Sequence, residues 1–235
     1  MAGDPPPHVE YTDDEDAVWR AALVALAPLH ARYACASYRA GWEAAALPAD
    51  HVPQLQTVGA RLSAVTSFQY QPVSGLVTPR LFMERLDDGY FLSTQYMRHH
   101  SMPLYTPEPD VIHELVGHAP LLATHAHADV NRMFGRATKA CDDAQVERLI
   151  RLYWYGLEFG LAREGGELRA VGAGLLSSFG ELGRFEASAT LLPFDVDVIA
   201  RTPFDPTSYQ STLFVADSED ALLSALGRAL ETLAG

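Results

Sequence analysis

Two histidines five positions apart, His113 and His118, constrain the local fold of this chain more than any other feature. On a regular α-helix, residues at i and i+5 point about 140° apart, so they can share one metal ion only if the helix ends or deforms between them. Gly117 and Pro120 supply a reason for this, because a proline inside a helix clashes with the carbonyl four residues back. We therefore expect His118 at a helix C-terminus, turned towards His113.

The spacing differs from the zinc-hydrolase motif H-E-x-x-H, whose histidines are four apart. This difference argues against a zinc hydrolase. Spacing alone leaves open that the two residues are ordinary core or surface histidines.

A third ligand has to come from another part of the chain, and Glu158 is the candidate. It lies between Leu157 and Phe159 in an apolar turn of a helix predicted over 143–162. A lone carboxylate there is costly unless it is paired or binds a metal, and an ion pair with an arginine is the alternative. Two histidines and one carboxylate form the facial triad of mononuclear non-haem Fe(II) oxygenases, which leaves coordination positions open.

Charge and composition exclude several classes of function. The formal net charge is −13, and no basic patch suited to nucleic acid appears. No apolar run approaches the ~20 residues of a membrane span, and the polar, acidic N-terminus lacks the features of a signal peptide. Two cysteines, Cys35 and Cys141, make no disulfide framework, which predicts a reducing, cytoplasmic location.

The hydrophobic pattern predicts a mainly α protein with a small β component. Helices are expected over 14–46 (bent or broken near Pro28), 109–117, 143–162, 177–189 and 217–234, with short strands and loops over 66–96. His125 and His127 are expected in a solvated loop and not in a second metal site. Because no linker divides the chain, we expect one catalytic domain over 1–235, with 1–10 as an extended leader.

Four segments together resemble the pterin-dependent aromatic amino acid hydroxylases, the family of phenylalanine, tyrosine and tryptophan hydroxylases. They are Thr94–His99 (TQYMRH), Tyr105–Leu121 (YTPEPDVIHELVGHAPL), Tyr153–Leu161 (YWYGLEFGL) and Gly172–Glu181 (GAGLLSSFGE). The match runs in order from about residue 9 to residue 216. The length is similar to that of bacterial phenylalanine 4-monooxygenases, and no regulatory domain or C-terminal tetramerising coiled coil is expected.

The resemblance implies an irregular helical basket around a non-haem iron, and it implies roles for individual residues. Iron would be bound by His113, His118 and Glu158. The amino acid would contact Arg98 (through its carboxylate), Thr106, Pro109, Trp154, Phe159, Gly174 and Ser177. The pterin would contact Gly75, Leu76, Phe82 (by stacking), Glu114 and Tyr153. Asp110 would act from outside the ligand set by fixing a histidine tautomer, and Glu181 would support the site in a similar way.

The implied reaction is hydroxylation of the L-phenylalanine ring to tyrosine with Fe(II), O₂ and a tetrahydropterin, in a monomer. Trp154 favours phenylalanine, since the tryptophan hydroxylases carry Phe at the matching position. The alternatives are a relative that hydroxylates tryptophan or forms meta-tyrosine, and a non-catalytic metal- or pterin-binding relative. The last is suggested by Val171, where the family has an aromatic residue, and by a missing N-terminal segment that carries a mobile loop in relatives. A further departure is Gln210-Ser211-Thr212-Leu213, where the family has Gln-Pro-Leu-Tyr.

Overall fold

The computed structural model describes residues 6–75, 77–106 and 108–234, and it is mostly helical with two small sheets. This confirms the predicted fold class. Residues 6–10 of the expected leader have no regular secondary structure, and residues 1–5 lie outside the described part. Within the described residues, no helix is long and apolar enough to cross a membrane.

The helices follow the predicted order but are more numerous. The α-helices are α1 (Asp13–Tyr33), α2 (Ala36–Ala45), α3 (Leu55–Thr66), α4 (Pro79–Asp87), α5 (Ala119–Leu122), α6 (His125–Ala140), α7 (Asp143–Tyr153), α8 (Ala173–Ser177), α9 (Phe179–Leu182), α10 (Phe185–Ser188), α11 (Val196–Ile199) and α12 (Glu219–Ala234). Two π-helices interrupt the series, π1 (His113–His118) and π2 (Trp154–Glu158).

The strands form two separate sheets. Strands β1 (Gln69–Pro72) and β2 (Tyr90–Ser93) pair in parallel. The second sheet has the order β4-β3-β6-β5 and comprises β3 (Leu161–Glu164), β4 (Glu167–Ala170), β5 (Thr190–Pro193) and β6 (Thr212–Ala216). Strands β3 and β4 form an antiparallel hairpin, whose turn at Gly165 and Gly166 has φ angles of 62° and 88° that favour glycine.

The first predicted helix begins where its acidic residues indicate, but it breaks at another place. Thr12 and Glu15 form a reciprocal capping box at the start of α1. Pro28 lies inside α1, and the break falls at Ala34 and Cys35. Of the two expected alternatives, a bend or a break near Pro28, the break was therefore wrong. The chain turns later because the backbone N–H of Cys35 donates to Ala170 (3.2 Å), beside an isolated bridge between Ala34 and Ala170.

The region over 66–96 contains a helix as well as the expected strands. Thr78 caps the N-terminus of α4, and Pro79 occupies the first turn, where its missing N–H costs nothing. This helix was not expected, because the region was predicted to hold only short strands and loops. The predicted helix over 177–189 is also divided in the structure, into α9 and α10.

The π-helical turn of π1 is supported by tyrosines from two other elements. Tyr38 of α2 donates its hydroxyl to the carbonyl of Val116 (2.8 Å), and Tyr70 of β1 donates to that of Glu114 (2.8 Å). Pro120 has no N–H with which to bind the Val116 carbonyl, so Tyr38 replaces it. Helix α2 approaches so closely that a Cβ at Gly41 would overlap the Pro120 carbonyl. The wide turn is thus held in place by tertiary contacts.

Candidate metal centre and substrate pocket

The π-helix π1 brings His113 and His118 to one point. Their Nε2 atoms lie 3.0 Å apart and their rings are nearly perpendicular, at 85°. The two side chains converge because the helix deforms, as the spacing required, but the expected helix C-terminus at His118 was wrong. The helix does not end at His118; it continues through π1 into α5. Because a π-helix closes its hydrogen bonds at i+5, residues five apart lie on the same side.

Glu158, the last residue of π2, completes a cluster of three donors. Its Oε1 lies 3.3 Å from Nε2 of His118, and its Oε2 lies 3.8 Å from Nε2 of His113. Metal–ligand bonds of about 2.1 Å at right angles separate two donors by about 3 Å, so this set fits a single ion. Two imidazole nitrogens that face each other at 3.0 Å also cannot both present a lone pair without a cation between them.

Ser177 fixes the tautomer of His113. Its hydroxyl lies 2.9 Å from the carbonyl of Ala173, and with its proton donated there its oxygen accepts from Nδ1 of His113 (3.0 Å). The proton of the imidazole is thereby held on Nδ1, and the lone pair of Nε2 points towards Glu158 and His118. Burial, together with the neighbouring His118, lowers the pKa of His113 to about 4, which favours the neutral ring that a metal requires.

No hydrogen bond joins Asp110 to the ring of His113, which differs from the role implied by the resemblance. Its carboxylate accepts from the backbone N–H of His113 (3.3 Å) and forms a bidentate pair with Arg98, at 2.7 Å to Nε and 2.8 Å to Nη2. The tautomer role belongs to Ser177. Asp110 instead caps the turn before π1 and fixes the plane of the guanidinium, and its side chain is fully buried.

A second carboxyl, that of Glu114, faces the same cluster. One of its oxygens lies within 4.8 Å of the ligand atoms of both histidines. Burial and the charge of Glu158 raise the pKa of Glu114 well above its usual range. Burial also acts to raise the pKa of Glu158, but His118 and His113 outweigh it and the net shift is downward. Glu158 is therefore the anionic carboxylate of the pair, as a metal ligand has to be.

Aromatic side chains form a wall beside Glu158. The indole of Trp154 stacks on Phe204 with centroids 4.3 Å apart at 14°, and it tilts against Phe159 at 4.7 Å. A Cβ at Gly174 would lie 2.9 Å from Cζ of Phe159, so a glycine is needed where this ring approaches α8. The structure thus brings together Trp154, Phe159 and Gly174, three of the residues expected around the substrate.

Thr106 and Pro109 lie on the segment that leads to Asp110. The hydroxyl of Thr106 donates to the carbonyl of Glu108 (2.7 Å), and the carbonyl of Pro109 accepts from Thr94 (3.3 Å). Among the described residues, the guanidinium of Arg98 is hydrogen-bonded at Nε and Nη2, both to Asp110, and Nη1 has no hydrogen-bond partner. One edge of Arg98 therefore remains for an anion.

The residues expected around the pterin form a second aromatic group. The ring of Phe82 packs edge-on against Phe91 (5.2 Å) and Tyr153 (5.7 Å), and Phe91 lies 4.4 Å from the ring of His118. Gly75 follows β1, and a Cβ there would meet open space. Leu76 lies outside the described residues.

The chain also matches a known protein family. Residues 1–233 match the model of the family described as "Biopterin-dependent aromatic amino acid hydroxylase". The chain belongs to this family. Dependence on a pterin and oxidation of an aromatic amino acid are properties of the family as a whole, and the donor set described above is the one that the resemblance implied.

The aromatic amino acid hydroxylases similar to this chain differ in their substrates. A tyrosine 3-monooxygenase of Rattus norvegicus is 41% identical over 221 residues, which are 92% of this chain but only 44% of that protein. A phenylalanine 3-hydroxylase of Streptomyces coeruleorubidus is 41% identical over 230 residues, 97% of this chain and 82% of the relative. A Chromobacterium violaceum phenylalanine hydroxylase structure with bound Fe(III) superposes with a TM-score of 0.90 at 33% identity, covering 98% and 85% of the two chains.

Three residues that contact the site were not assigned by sequence reasoning. Phe91 packs on the His118 ring, Phe204 stacks on Trp154, and Gln210 accepts a hydrogen bond from the indole N–H of Trp154 (3.0 Å). Gln210 was noted in the sequence only because the three residues after it differ from those of the family. Nothing in the local sequence distinguishes Phe91 or Phe204 from core residues. Glu181 reaches the site indirectly, because one of its oxygens accepts from the backbone N–H of Gln210 (2.6 Å).

Proposed function

We propose that this aromatic amino acid hydroxylase converts L-phenylalanine to tyrosine, using Fe(II), O₂ and a tetrahydropterin. The observation that carries the proposal is the convergence of His113, His118 and Glu158 at distances that suit one ion, with His113 held as the Nδ1–H tautomer. Two histidines and one carboxylate are typical of Fe(II) oxygenases. Their coordination leaves positions for O₂ and water.

Iron would be held by His113, His118 and Glu158, and when bound it would supply activation of O₂ together with the reduced pterin. The protein residues prepare the ligands. Ser177 keeps the proton away from the metal-facing nitrogen of His113, and the low pKa of Glu158 keeps that carboxylate ionised. No further proton has to be removed from these two residues before the metal binds.

Arg98 would bind the carboxylate of the substrate. Asp110 occupies Nε and Nη2, so the guanidinium is fixed in one plane with its Nη1 side directed away from Asp110. A planar guanidinium suits the geometry of a carboxylate better than an ammonium does. Thr106, Pro109 and Ser177 would line the pocket between Arg98 and the iron ligands.

Trp154, Phe159 and Gly174 would orient the ring of the substrate. The indole and the Phe159 ring form an apolar surface, and Gly174 provides the space that the Phe159 ring needs. A bulky indole leaves less room for a bicyclic substrate, so this wall favours phenylalanine over tryptophan. Holding the ring near the iron ligands and excluding water are the contributions of the protein to the reaction.

The pterin would lie beside Phe82, Tyr153, Glu114, Gly75 and Leu76. Phe82 offers a ring for stacking, and the open space at Gly75 leaves room for a bound molecule. The buried hydroxyl of Tyr153 is fixed by Asn131 (3.0 Å), so Tyr153 would contribute its ring.

We also propose that the described fold acts as a single catalytic domain and as a monomer in the cytoplasm. One contiguous hydrophobic core joins residues from α1 to α12, which supports a single folding unit. The two cysteines are buried and unpaired, as is usual in a reducing compartment.

A second candidate is hydroxylation of phenylalanine at the meta position. The Streptomyces coeruleorubidus relative, a phenylalanine 3-hydroxylase, is matched over 82% of its length, more than the tyrosine 3-monooxygenase of rat. Both reactions need the same metal centre, so they differ only in how the ring is held.

The proposal is tested by identifying products. Fe(II)-loaded protein is incubated with tetrahydrobiopterin, O₂ and phenylalanine, tyrosine or tryptophan in turn, and products are compared with ortho-, meta- and para-tyrosine and the other hydroxylated standards. We expect para-tyrosine from phenylalanine and no product from Glu158→Ala. Mainly meta-tyrosine would favour the second candidate. Faster turnover of tyrosine or tryptophan, or no product at all, would overturn the proposed reaction.

A further inference from the structure

The side-chain amide of Gln210 is held in one orientation by three hydrogen bonds. Its Nε2 donates to the carbonyls of Asp205 (3.0 Å) and Ser208 (2.8 Å), and its Oε1 accepts from the indole N–H of Trp154 (3.0 Å). A flipped amide would place an oxygen against two carbonyls and an N–H group against another N–H group. The acceptor therefore has to face the indole, and the whole residue is only 7% exposed.

The stacking contacts do not fix the indole in the same way. Phe204 lies nearly parallel to the indole of Trp154, at 14°, and parallel faces can slide and rotate in their own plane at little cost. A cavity of about 310 Å³ is lined by Tyr155, Phe204 and Gln210, among others, so open space adjoins two of the residues that contact the indole. The bond to Gln210 is the directional contact of the indole.

Gln210 is itself tied to a second buried residue. Its backbone N–H donates to Oε1 of Glu181 at 2.6 Å, and Glu181 is 5% exposed. A short bond from a backbone N–H to a carboxyl oxygen holds the segment before β6 against α9. The position of the Gln210 amide, and with it the direction of the acceptor, is thus fixed from both its backbone and its side chain.

We propose that Gln210 is a positioning residue that sets ring specificity by fixing the in-plane orientation of the Trp154 indole. The inference rests on the proposed function, in which Trp154 forms a wall of the substrate pocket. Gln210 acts only through Trp154 and does not contact the substrate. The competing interpretation is structural: Gln210 would merely anchor the segment over 203–211 through Nε2.

The first measurement reads the bond directly. The chain has three tryptophans, so a ¹H–¹⁵N NMR spectrum of the full-length, metal-free protein shows three indole N–H signals. The signal that is missing in Trp154→Phe belongs to Trp154. In Gln210→Met we expect the Trp154 signal alone to shift upfield and to exchange faster with solvent. Gln56→Met, at an exposed position of α3, is the control and should leave all three signals in place. An unchanged Trp154 signal in Gln210→Met would overturn the proposal.

The second measurement reads specificity through binding, without turnover. Isothermal titration under anaerobic conditions gives the Kd of L-phenylalanine and of L-tryptophan for the Fe(II)-loaded wild type, Gln210→Met, Trp154→Phe and the double variant. We expect Gln210→Met to change the ratio of the two Kd values by about tenfold in the wild-type background. In the Trp154→Phe background the same substitution should change it by less than about twofold, since the group on which it acts is gone.

Equal effects in both backgrounds would show that Gln210 acts on the segment over 203–211 and not through the indole, and no effect in either would remove it from specificity altogether. If Gln210→Met does not fold, Gln210→Asn keeps an amide that is one methylene too short to reach the indole and should give the same result. A protein that binds both amino acids with the expected ratios but forms no product would count against the proposed reaction alone. The role of Gln210 is decided by the NMR signal and the binding ratios.

Discussion

The Nε2 atoms of His113 and His118 face each other at 3.0 Å although the two residues are five positions apart, because the turn between them is π-helical. The same device recurs at Glu158, which ends the second π-helix, where the N–H of Phe159 bonds to the carbonyl of Trp154 at 2.8 Å. Irregular turns of this kind are frequent at functional sites. All three candidate ligands therefore lie in π-helical turns, and tyrosines of two other elements support the first of these.

Removing the carboxylate ligand should remove the metal. In Glu158→Ala we expect iron to fall from about one per chain to well under a tenth, because only two protein ligands remain. Elemental analysis after gel filtration measures this, with circular dichroism to check the fold. Glu147→Ala, at an exposed position of α7, is the control and should keep its iron. Full iron content in Glu158→Ala would show that the ligand set is different.

The tautomer of His113 should affect iron affinity. Ser177→Ala removes the hydroxyl that accepts from Nδ1, so the ring can turn and protonate at the metal-facing nitrogen. We expect a loss of about 10–100-fold in iron affinity, measured by competition with a chelator. Ser188→Ala, at an exposed position of α10, is the matched control. An iron affinity equal to that of the wild type would assign the orientation of His113 to other contacts.

Arg98 should affect the amino acid and not the pterin. Arg98→Lys keeps the charge but replaces the planar guanidinium with an ammonium group. The two-point contact with Asp110 and the oriented edge for the substrate carboxylate are both lost. We expect the KM for phenylalanine to rise by about tenfold or more, and that for the pterin by less than about twofold. Arg136→Lys, on the exposed side of α6, serves as the control. A change in the KM for the pterin alone would place Arg98 in another role.

Arg98→Ala is a different test, because it leaves the buried carboxylate of Asp110 without its partner. We expect it to lower the free energy of unfolding by about 3–5 kcal/mol, as is usual when one member of a buried pair is removed. Denaturation in urea, compared between Arg98→Ala and Arg98→Lys, separates this loss of stability from the loss of substrate affinity.

Glu181 should make stability depend on pH. Burial raises its pKa from 4.5 to about 7, against the hydrogen bond from Gln210 and the charge of Arg184. The folded state thus binds a proton more tightly than the unfolded state, so this contribution to stability is complete below about pH 4.5 and is lost as the pH rises through about 7. Glu181→Gln lacks the titrating group. Its free energy of unfolding should therefore rise relative to that of the wild type by up to about 3 kcal/mol as the pH rises through that range. Parallel urea curves at pH 5 and pH 8 measure the difference, and a gap that does not change with pH would contradict the assignment.

Residues with local signals could be predicted from the sequence. The start of α1, the helix predicted over 217–234 and the apolar surroundings of Glu158 each depend on neighbours within one or two helical turns. The candidate metal ligands were suggested by side-chain type and by the apolar surroundings of Glu158, and the resemblance implied all three. The roles of Arg98 and Trp154 came from the resemblance and not from any local pattern.

Features that depend on distant partners could not be predicted. The π-helical form of π1 needs Tyr38, which lies 78 positions before its acceptor Val116. His127 was expected in a solvated loop, but it lies in α6, is 1% exposed, and binds Glu219 at 2.7 Å across 92 positions. The sequence does not show which residue hydrogen-bonds to a buried histidine, and without such a partner burial would be unfavourable. A histidine in an H-x-H sequence is therefore predicted to be solvated.

The tautomer of His113 is fixed by Ser177 and not by Asp110, and this difference from the prediction has the same origin. Both residues have oxygens that could accept from an imidazole, and the sequence does not say which one reaches Nδ1 of His113. The structure decides it, because Arg98 occupies both carboxylate oxygens of Asp110 while α8 places Ser177 against the ring.

The central claim, that this iron centre inserts oxygen from O₂ into an aromatic ring, is tested most directly by isotope labelling. Fe(II)-loaded protein is incubated with tetrahydrobiopterin and L-phenylalanine under ¹⁸O₂ in ordinary water, and the product is analysed by mass spectrometry. The account predicts tyrosine that carries one ¹⁸O atom, and unlabelled tyrosine when the label is supplied as H₂¹⁸O with ordinary O₂. Label taken from water, or no hydroxylated amino acid in either experiment, would contradict it.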